Sequence, residues 1–286
     1  MHGSVRGRTP VVLTAAALVA WLAGCASTKG EGPLDAAQGA VARLVLPVSQ
    51  EKELGQQVTA QLQQELQLLD DPELVGWVNE LGGAIVAAAG DDVPDGIEIA
   101  FHVVADDATV NAFAVPGGNI YVYTGLLRTL EDEAQLVGVL GHEVAHVTER
   151  HVAERLTAQY GLETLSALLT GGGDGVSSLV GQLAGTAVTQ GFLLKYSRDH
   201  EREADWVGTA YAAGAGYDPR GLIDFFRLMQ AQERSGVVPS FLLTHPMPDE
   251  RLERVQERIE ELQPVPERRG RERYQQMVAR LGGPSK

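Results

Sequence analysis

Cysteine is almost absent from this chain, which has one such residue, Cys25, among its 286. A single thiol cannot form a disulfide within the chain, so the fold must be held together by its hydrophobic core or by a bound metal. Hydrophobic residues make up 44% of the sequence and charged residues 21%, which is typical of a globular protein.

Basic residues are scarce relative to acidic ones. The chain has 23 lysines and arginines against 38 aspartates and glutamates, a formal net charge of −15. A protein of this charge repels the phosphate backbone, so nucleic acid is excluded as the main partner. We interpret the excess of acidic side chains as a solvated surface.

Long hydrophobic runs are missing beyond the N-terminus. The run VVLTAAALVAWLAG, residues 11–24, follows a basic start and has the length of a signal-peptide core. It is shorter than the roughly 20 residues of a comfortable membrane span. It ends in LAGC at Cys25, which resembles the lipobox of bacterial lipoproteins, where the signal is cleaved before the cysteine and the thiol receives lipid. The alternative is a plain secretory signal with an incidental cysteine.

The composition then predicts three segments. Residues 1–24 form the signal peptide, and residues 25–49, rich in Gly, Ala and polar residues, form a lipidated tether. Residues 50–286 form one domain, which lipid on Cys25 would anchor to a membrane without spanning it.

Hydrophobic periodicity in this domain predicts an α+β fold made mainly of helices. The first helices are expected at Gln50–Leu69 and from Pro72 to about Ala89, the second capped by an aspartate. An alternating run, residues 97–106, predicts a strand, and NAFAVPGGNIYVYTGLL, residues 111–127, predicts two short extended pieces joined at Pro-Gly-Gly. The run DERLERVQERIEEL, residues 249–262, reads as a charged, solvent-facing helix.

One helix carries two imidazoles and a carboxylate on the side that it should bury. It contains GHEVAHVTERH and is predicted to begin at a capping box, Thr129-x-x-Asp132. His142 and His146 lie one turn apart and can meet one ion, while Glu143 lies about 100° round the helix. Two imidazoles and a carboxylate suit Zn²⁺ with one open position, and Glu143 stands where a general base can take a proton from water at that ion.

The third protein ligand is expected from a different helix. His151, nine residues after His142, should face away from the metal and serve packing or solvation. Within YSRDHEREADWVG, residues 196–208, Glu201 and Asp205 share one helical face, whereas Glu203 points away. We therefore predict Glu201 as the third ligand, with Asp205 accepting the other N–H of a ligating histidine.

These motifs occur in an order that resembles one known family. HEVAHVTERH, SRDHEREAD, NAFAVPGGNIYVYTGLL and LLTHPMPDERLERV together resemble the HtpX-like zinc metallopeptidases, gluzincins that include the CAAX prenyl proteases. The resemblance implies a zincin-like fold with a small antiparallel sheet beside the HExxH helix. It also implies zinc held by His142, His146 and Glu201, with Glu143 as base and Asp205 supporting the ligands.

The resemblance assigns two further sites. Residues Asn119, Ile120, Tyr121 and Val122 would form an edge strand whose free main-chain groups pair with an extended substrate. His245 matches a histidine near the metal, and it would either stabilise the oxyanion of the intermediate or take the fourth zinc position in a resting state.

The expected function is zinc-dependent cleavage of unfolded or misassembled envelope proteins by a compact bacterial lipoprotein of this family. The protein would face the periplasm, lipid-anchored to the outer membrane because Ala26, and not Asp, follows Cys25. The alternative is a zinc-binding lipoprotein with a chaperone or assembly role, which would have no need for a carboxylate at Glu143.

Overall fold

The protein is described here from a computed structural model that covers residues 46–161, 164–167, 174–190, 195–246 and 250–282. The predicted signal peptide, Cys25 and nearly all of the predicted tether lie outside these ranges. Among the described residues, no helix combines the length and the apolar character that a membrane span requires. The helices and strands are α1 Val48–Glu65, α2 Pro72–Ala89, β1 Ala100–Val104, β2 Ala112–Ala114, β3 Asn119–Tyr123, α3 Thr124–Thr129, α4 Glu133–Thr148, α5 His151–Tyr160, α6 Asp174–Gln190, α7 Arg198–Gly214, α8 Arg220–Arg234, α9 Ser240–Thr244, α10 Glu250–Glu261 and α11 Arg271–Ala279.

The helical content confirms the α+β prediction, with differences at the ends of the first elements. Helix α1 ends at Glu65 and not at Leu69, because the chain becomes extended and Leu68 forms a bridge with Val104. The start of α2 is as predicted: the Asp71 side chain accepts hydrogen bonds from the next two free N–H groups of the first turn, and a proline follows it.

The sheet is mixed, and not purely antiparallel as expected. Its order is β1-β3-β2, with β3 parallel to β1 and antiparallel to β2. The predicted edge strand, Asn119–Tyr123, is therefore the central strand, and its main-chain groups are paired on both sides. Every residue of β3 after Asn119 is buried, which is the pattern of a strand covered by neighbours.

Strand β3 divides the interior into two cores. Ile120 and Val122 point into the larger cluster, which also contains the apolar side chains of α4 and α8. Tyr121 and Tyr123 point to the opposite side and pack in a second cluster with residues of α1, α5 and α6. This alternation follows from the two-residue period of a strand, and it places β3 between the two halves of the domain.

Helix α4, which carries the HExxH motif, is buried along its whole length. Its N-cap is Asp132, whose side chain accepts the N–H of Gln135, and the predicted capping box from Thr129 is wrong. Thr129 instead closes the short helix α3, where its hydroxyl donates to the Gly125 carbonyl. Arg269 from the C-terminal segment holds the other oxygen of Asp132 at 2.7 Å, so the start of the helix is fixed from outside as well.

Two glycines let α4 and α7 cross in close contact. A Cβ on Gly208 would lie 2.7 Å from the backbone of Gly141 and from the amide nitrogen of His142, closer than real Cβ atoms approach. The crossing therefore requires glycine at this position, and it sets the distance between the histidines of α4 and the carboxylates of α7.

We expect Gly208→Ala to destabilise the protein by about 1–3 kcal/mol, because the two backbones must separate to admit the methyl group. Gly83→Ala is the matched control: it replaces an exposed glycine of α2 that has nothing within 4 Å of the added Cβ. The control should instead stabilise by about 0.5–1 kcal/mol, the usual gain of alanine over glycine in a helix. Urea unfolding of both variants measures the difference, and equal midpoints would refute the close crossing.

Candidate metal and catalytic centre

The two histidines of α4 meet at their outer ring nitrogens. His142 and His146 lie one turn apart, and their Nε2 atoms are 3.1 Å from one another. Neither side chain is exposed, and the rings stand nearly perpendicular, with 88° between their planes. Two neutral imidazoles that turn their lone pairs to one point form half of a metal site.

A carboxylate and a third imidazole reach the same point from other elements. Glu201 of α7 places its Oε2 3.5 Å from His142 Nε2 and its Oε1 3.5 Å from His146 Nε2. His245, directly after α9, places its Nδ1 2.9 Å from Glu201 Oε1 and 3.2 Å from His142 Nε2. Its ring stacks on Phe241 at 4.3 Å, and the amide of Phe241 donates to the Val110 carbonyl, so His245 packs on a helix that is bonded to the segment leading into β2.

The four side chains fit a single zinc ion. His142, His146, Glu201 and His245 each offer one ligand atom, and these atoms all lie within 4.8 Å of one another. Nitrogen and oxygen ligands at about 2.0 Å from a tetrahedral ion are about 3.3 Å apart, close to the contacts of 2.9–3.5 Å found here. The surrounding charge also fits, because buried carboxylates outnumber buried arginines in this cluster and a divalent cation would balance them.

Asp205 lies behind His142, where the sequence analysis placed it. Its Oδ1 is 2.9 Å from His142 Nδ1, the ring nitrogen that faces away from the other ligand atoms. Burial lowers the pKa of His142, but the adjacent Asp205 and Glu201 outweigh this effect and raise the pKa overall. A carboxylate in this position fixes the tautomer that leaves Nε2 free to bind a metal.

Arg251 is a member of the site that the sequence analysis missed. Its guanidinium donates two hydrogen bonds to Asp205, at 2.6 and 2.7 Å, and lies 2.9 Å from Glu201 Oε2. Burial would raise the pKa of Glu201, but His245 and Arg251 hold the pKa well below its usual range. The sequence did contain an indication of this role, since Arg251 stands in LLTHPMPDERLERV, one of the stretches that resemble the family. The charged residues around it led us to predict that its helix faces solvent.

Glu143 lies beside the donor cluster without joining it. Its carboxylate is fully buried, with Oε1 3.6 Å from His245 Nε2. Neither oxygen has a hydrogen-bond partner of normal geometry among the described residues, although the nearby Ala114 N–H lowers the pKa somewhat. Burial dominates and raises the pKa of Glu143, which moves it toward the range where a carboxylate can both accept and return a proton.

The helical spacing of His151 predicted that this residue faces away from the site, and the prediction is wrong. Helix α4 ends at Thr148, Arg150 adopts a left-handed conformation with φ 58°, and α5 begins at His151. The break turns His151 back, so its Nδ1 lies 2.8 Å from His146 Nδ1. The prediction assumed one continuous helix, and the left-handed residue breaks that continuity.

The predicted substrate residues are not available for strand pairing. Ile120, Tyr121 and Val122 are buried and paired with β1 and β2, and the Asn119 side chain binds the His102 ring at 2.8 Å. Strand β2 is the outer strand on the side of α4, and among the described strands it pairs only with β3. The proximity of the Ala114 N–H to Glu143 places β2 beside the donor cluster.

Comparisons with known proteins agree with this site. Residues 73–259 match peptidase family M48, a range that includes all the side chains of the donor cluster. The chain is 33% identical to a β-barrel assembly-enhancing protease of Yersinia pestis and 31% identical to that of Escherichia coli, over 80% and 79% of its own length. It is 34% identical to the mitochondrial metalloendopeptidase OMA1 of Schizosaccharomyces pombe over 57% of its length. The chain spans about half the length of these relatives: 48%, 47% and 47%.

Proposed function

Because the chain belongs to peptidase family M48, we propose that it is a zinc-dependent endopeptidase that cleaves unfolded or misassembled proteins of the bacterial envelope. The observation that carries the proposal is the position of Glu143, an unpartnered buried carboxylate beside a cluster of three histidines and a glutamate. A site built only to hold zinc for structure or for chaperone activity would not need this group.

His142, His146 and Glu201 would hold the zinc. When bound, the ion supplies Lewis acidity, which polarises a peptide carbonyl and makes water acidic near neutral pH. Glu143 accepts the proton of the attacking water and then returns it to the amine that leaves when the peptide bond breaks. Its burial favours the first transfer, because a carboxylate with a raised pKa is a stronger base toward the proton of water. The leaving amine is more basic still, so it takes the proton from the Glu143 carboxyl group.

Extended substrates would pair with β2, and not with β3 as the sequence suggested. Ala112–Ala114 is the strand beside Glu143, and an antiparallel peptide laid along it would pass the donor cluster. Pairing through main-chain groups depends little on the side chains of the substrate, which suits an enzyme that acts on unfolded proteins.

His245 closes the donor cluster in the conformation seen here, which supports the resting-state role over the oxyanion role. Four protein donors form the closed type of zinc site, whereas a catalytic zinc keeps one position open. We expect His245→Ala to raise the rate of cleavage several-fold, as the position becomes permanently available. The rate with unfolded casein, measured at equal zinc content, checks this, and a fall in the rate would favour the oxyanion role instead.

The lipobox-like sequence and the bacterial relatives support a proposal for the anchoring and location of the protein. We propose that Cys25 carries lipid and that the domain faces the periplasm from the outer membrane. The relatives in Yersinia pestis and Escherichia coli are named for enhancing β-barrel assembly, which supports an envelope location. We also propose that the chain is more similar to these proteases than to the CAAX prenyl proteases, which its sequence motifs also resemble.

The proposal is tested by incubating the purified chain with an unfolded protein, with and without a chelator. Fragments should form when zinc is bound, should not form after the chelator has removed zinc, and should form again when zinc is added back. His245→Ala is run beside the wild-type chain, so that a closed resting state does not conceal the activity. Protection of the unfolded protein from aggregation, without fragments from either chain, would support the chaperone alternative.

A further inference from the structure

We propose that His151 is a positioning residue, which fixes the orientation of the His146 imidazole through a hydrogen-bonded chain that ends at Glu203. The inference rests on the proposed zinc site, and it adds the element that orients the second histidine of HExxH. It concerns a residue that the sequence pattern placed on the opposite side of the helix.

The chain of contacts has a defined direction. His146 Nδ1 and His151 Nδ1 are 2.8 Å apart, so a single hydrogen lies between them. Because the Nε2 of His146 faces the other donors, that hydrogen belongs to His146 and the Nδ1 of His151 must accept it. The hydrogen of His151 then sits on Nε2, which lies 3.1 Å from an oxygen of Glu203.

The two ligating histidines are thus supported in different ways. His142 meets the carboxylate of Asp205 directly, at 2.9 Å. His146 meets a neutral imidazole, and the carboxylate of Glu203 lies one ring further away, with its side chain 25% exposed. A ring nitrogen that ligates a metal normally gives its other N–H to an acceptor, and in this protein His151 supplies that acceptor for His146.

The backbone at Arg150 makes this contact possible at an energetic cost. A residue other than glycine in the left-handed region costs about 1–2 kcal/mol, so something must hold it there. The Arg150 guanidinium donates to Glu51 of α1 through Nε at 2.9 Å and through Nη2 at 2.7 Å, and Glu51 is itself buried. Helix α1 therefore holds the turn that returns His151 to the site.

Packing restricts His151 to this orientation. Its side chain is fully buried, and its ring stacks on that of His200 at 4.5 Å. On the other side, Tyr196 stacks on His146 at 3.8 Å with only 14° between the rings. Each imidazole is therefore stacked on an aromatic ring, and the hydrogen bond between the two imidazoles determines which nitrogen of His146 is left to bind a metal.

The test compares two substitutions of nearly equal size, His151→Leu and His151→Asn, in the full chain. Asparagine keeps an acceptor oxygen near the position of Nδ1, and leucine removes it. Competition with a chromophoric chelator gives the zinc dissociation constant, which we expect to rise by about 10–100-fold for leucine and to stay close to the wild-type value for asparagine. His102→Asn is the control, since it makes the same change at a histidine of β1 that contacts Asn119 and lies outside the donor cluster, and it should keep the wild-type affinity.

Other results would overturn the inference. Equal zinc affinity in the leucine and asparagine variants, whether high or low, would mean that the acceptor at residue 151 does not matter. If the leucine variant fails to fold, Glu203→Ala provides the test, because the Glu203 side chain is partly exposed and its loss should be tolerated. An unchanged zinc affinity in that variant would contradict the hydrogen-bonded connection from His146 to Glu203. If the chain binds zinc but cleaves nothing, both as wild type and as the His245→Ala variant, the proposed function is overturned and this inference stands. A folded wild-type chain that binds no zinc would overturn both.

Discussion

Glu143→Gln should lower the rate of cleavage of an unfolded protein by about 10²–10⁴-fold while zinc stays bound, because the variant loses its proton acceptor and keeps its donors. Glutamine has nearly the same shape as glutamate but cannot take a proton from water. Glu143 makes no close contact with the ligand-bearing side chains other than His245 at 3.6 Å, so its replacement should leave the donor cluster in place.

The measurement is the initial rate of casein cleavage, normalised to the zinc content of each preparation. Glu149→Gln provides a matched control, since it makes the same change at the end of the same helix and outside the donor cluster. The control should cleave at the wild-type rate. Undiminished cleavage by a zinc-loaded Glu143→Gln chain would show that another group accepts the proton.

Arg251→Met should lower the free energy of unfolding by about 3–5 kcal/mol, the usual cost of removing one partner from a buried ionic network. The guanidinium is 1% exposed and offsets the charges of Asp205 and Glu201, which are as deeply buried. Methionine keeps most of the volume that packs on the Phe226 ring, 4.6 Å from the guanidinium carbon, so the loss of charge dominates.

The effect should be larger in the chain stripped of zinc, because a bound cation would compensate Glu201 in the absence of the arginine. Urea unfolding with and without zinc measures both values. Arg254→Met, on the same helix, is the control and should change stability little, since its guanidinium lies 5.9 Å from the Trp206 ring and is partly exposed. If the two methionine variants unfold at the same urea concentration, Arg251 does not neutralise the site.

The parts of the site that lie within one helix could be predicted from sequence. The period of an α-helix fixes how His142 and His146 face one another, and the same period brings Glu201 and Asp205 to one side of α7. The capping of α2 by Asp71 is equally local, because the side chain satisfies N–H groups of its own first turn. The lipid on Cys25 remains a prediction, since that residue lies outside the described structure.

The remaining features depend on contacts between distant segments. His151 returns to the site because Arg150 is held in a left-handed turn by Glu51, 99 residues earlier in the chain. Arg251 was assigned to solvent because a charged helix face looks the same whether it meets water or a buried carboxylate. The central place of β3 depends on which strands pair, and alternation within one strand carries no information about its neighbours.

Equilibrium zinc binding to the purified chain tests the central claim most directly. The account predicts one tightly bound zinc ion per wild-type chain, and none at that site when His142 and His146 are both replaced by alanine in a chain that stays folded. A folded wild-type chain that takes up no zinc, or a double variant that retains it, would contradict the account.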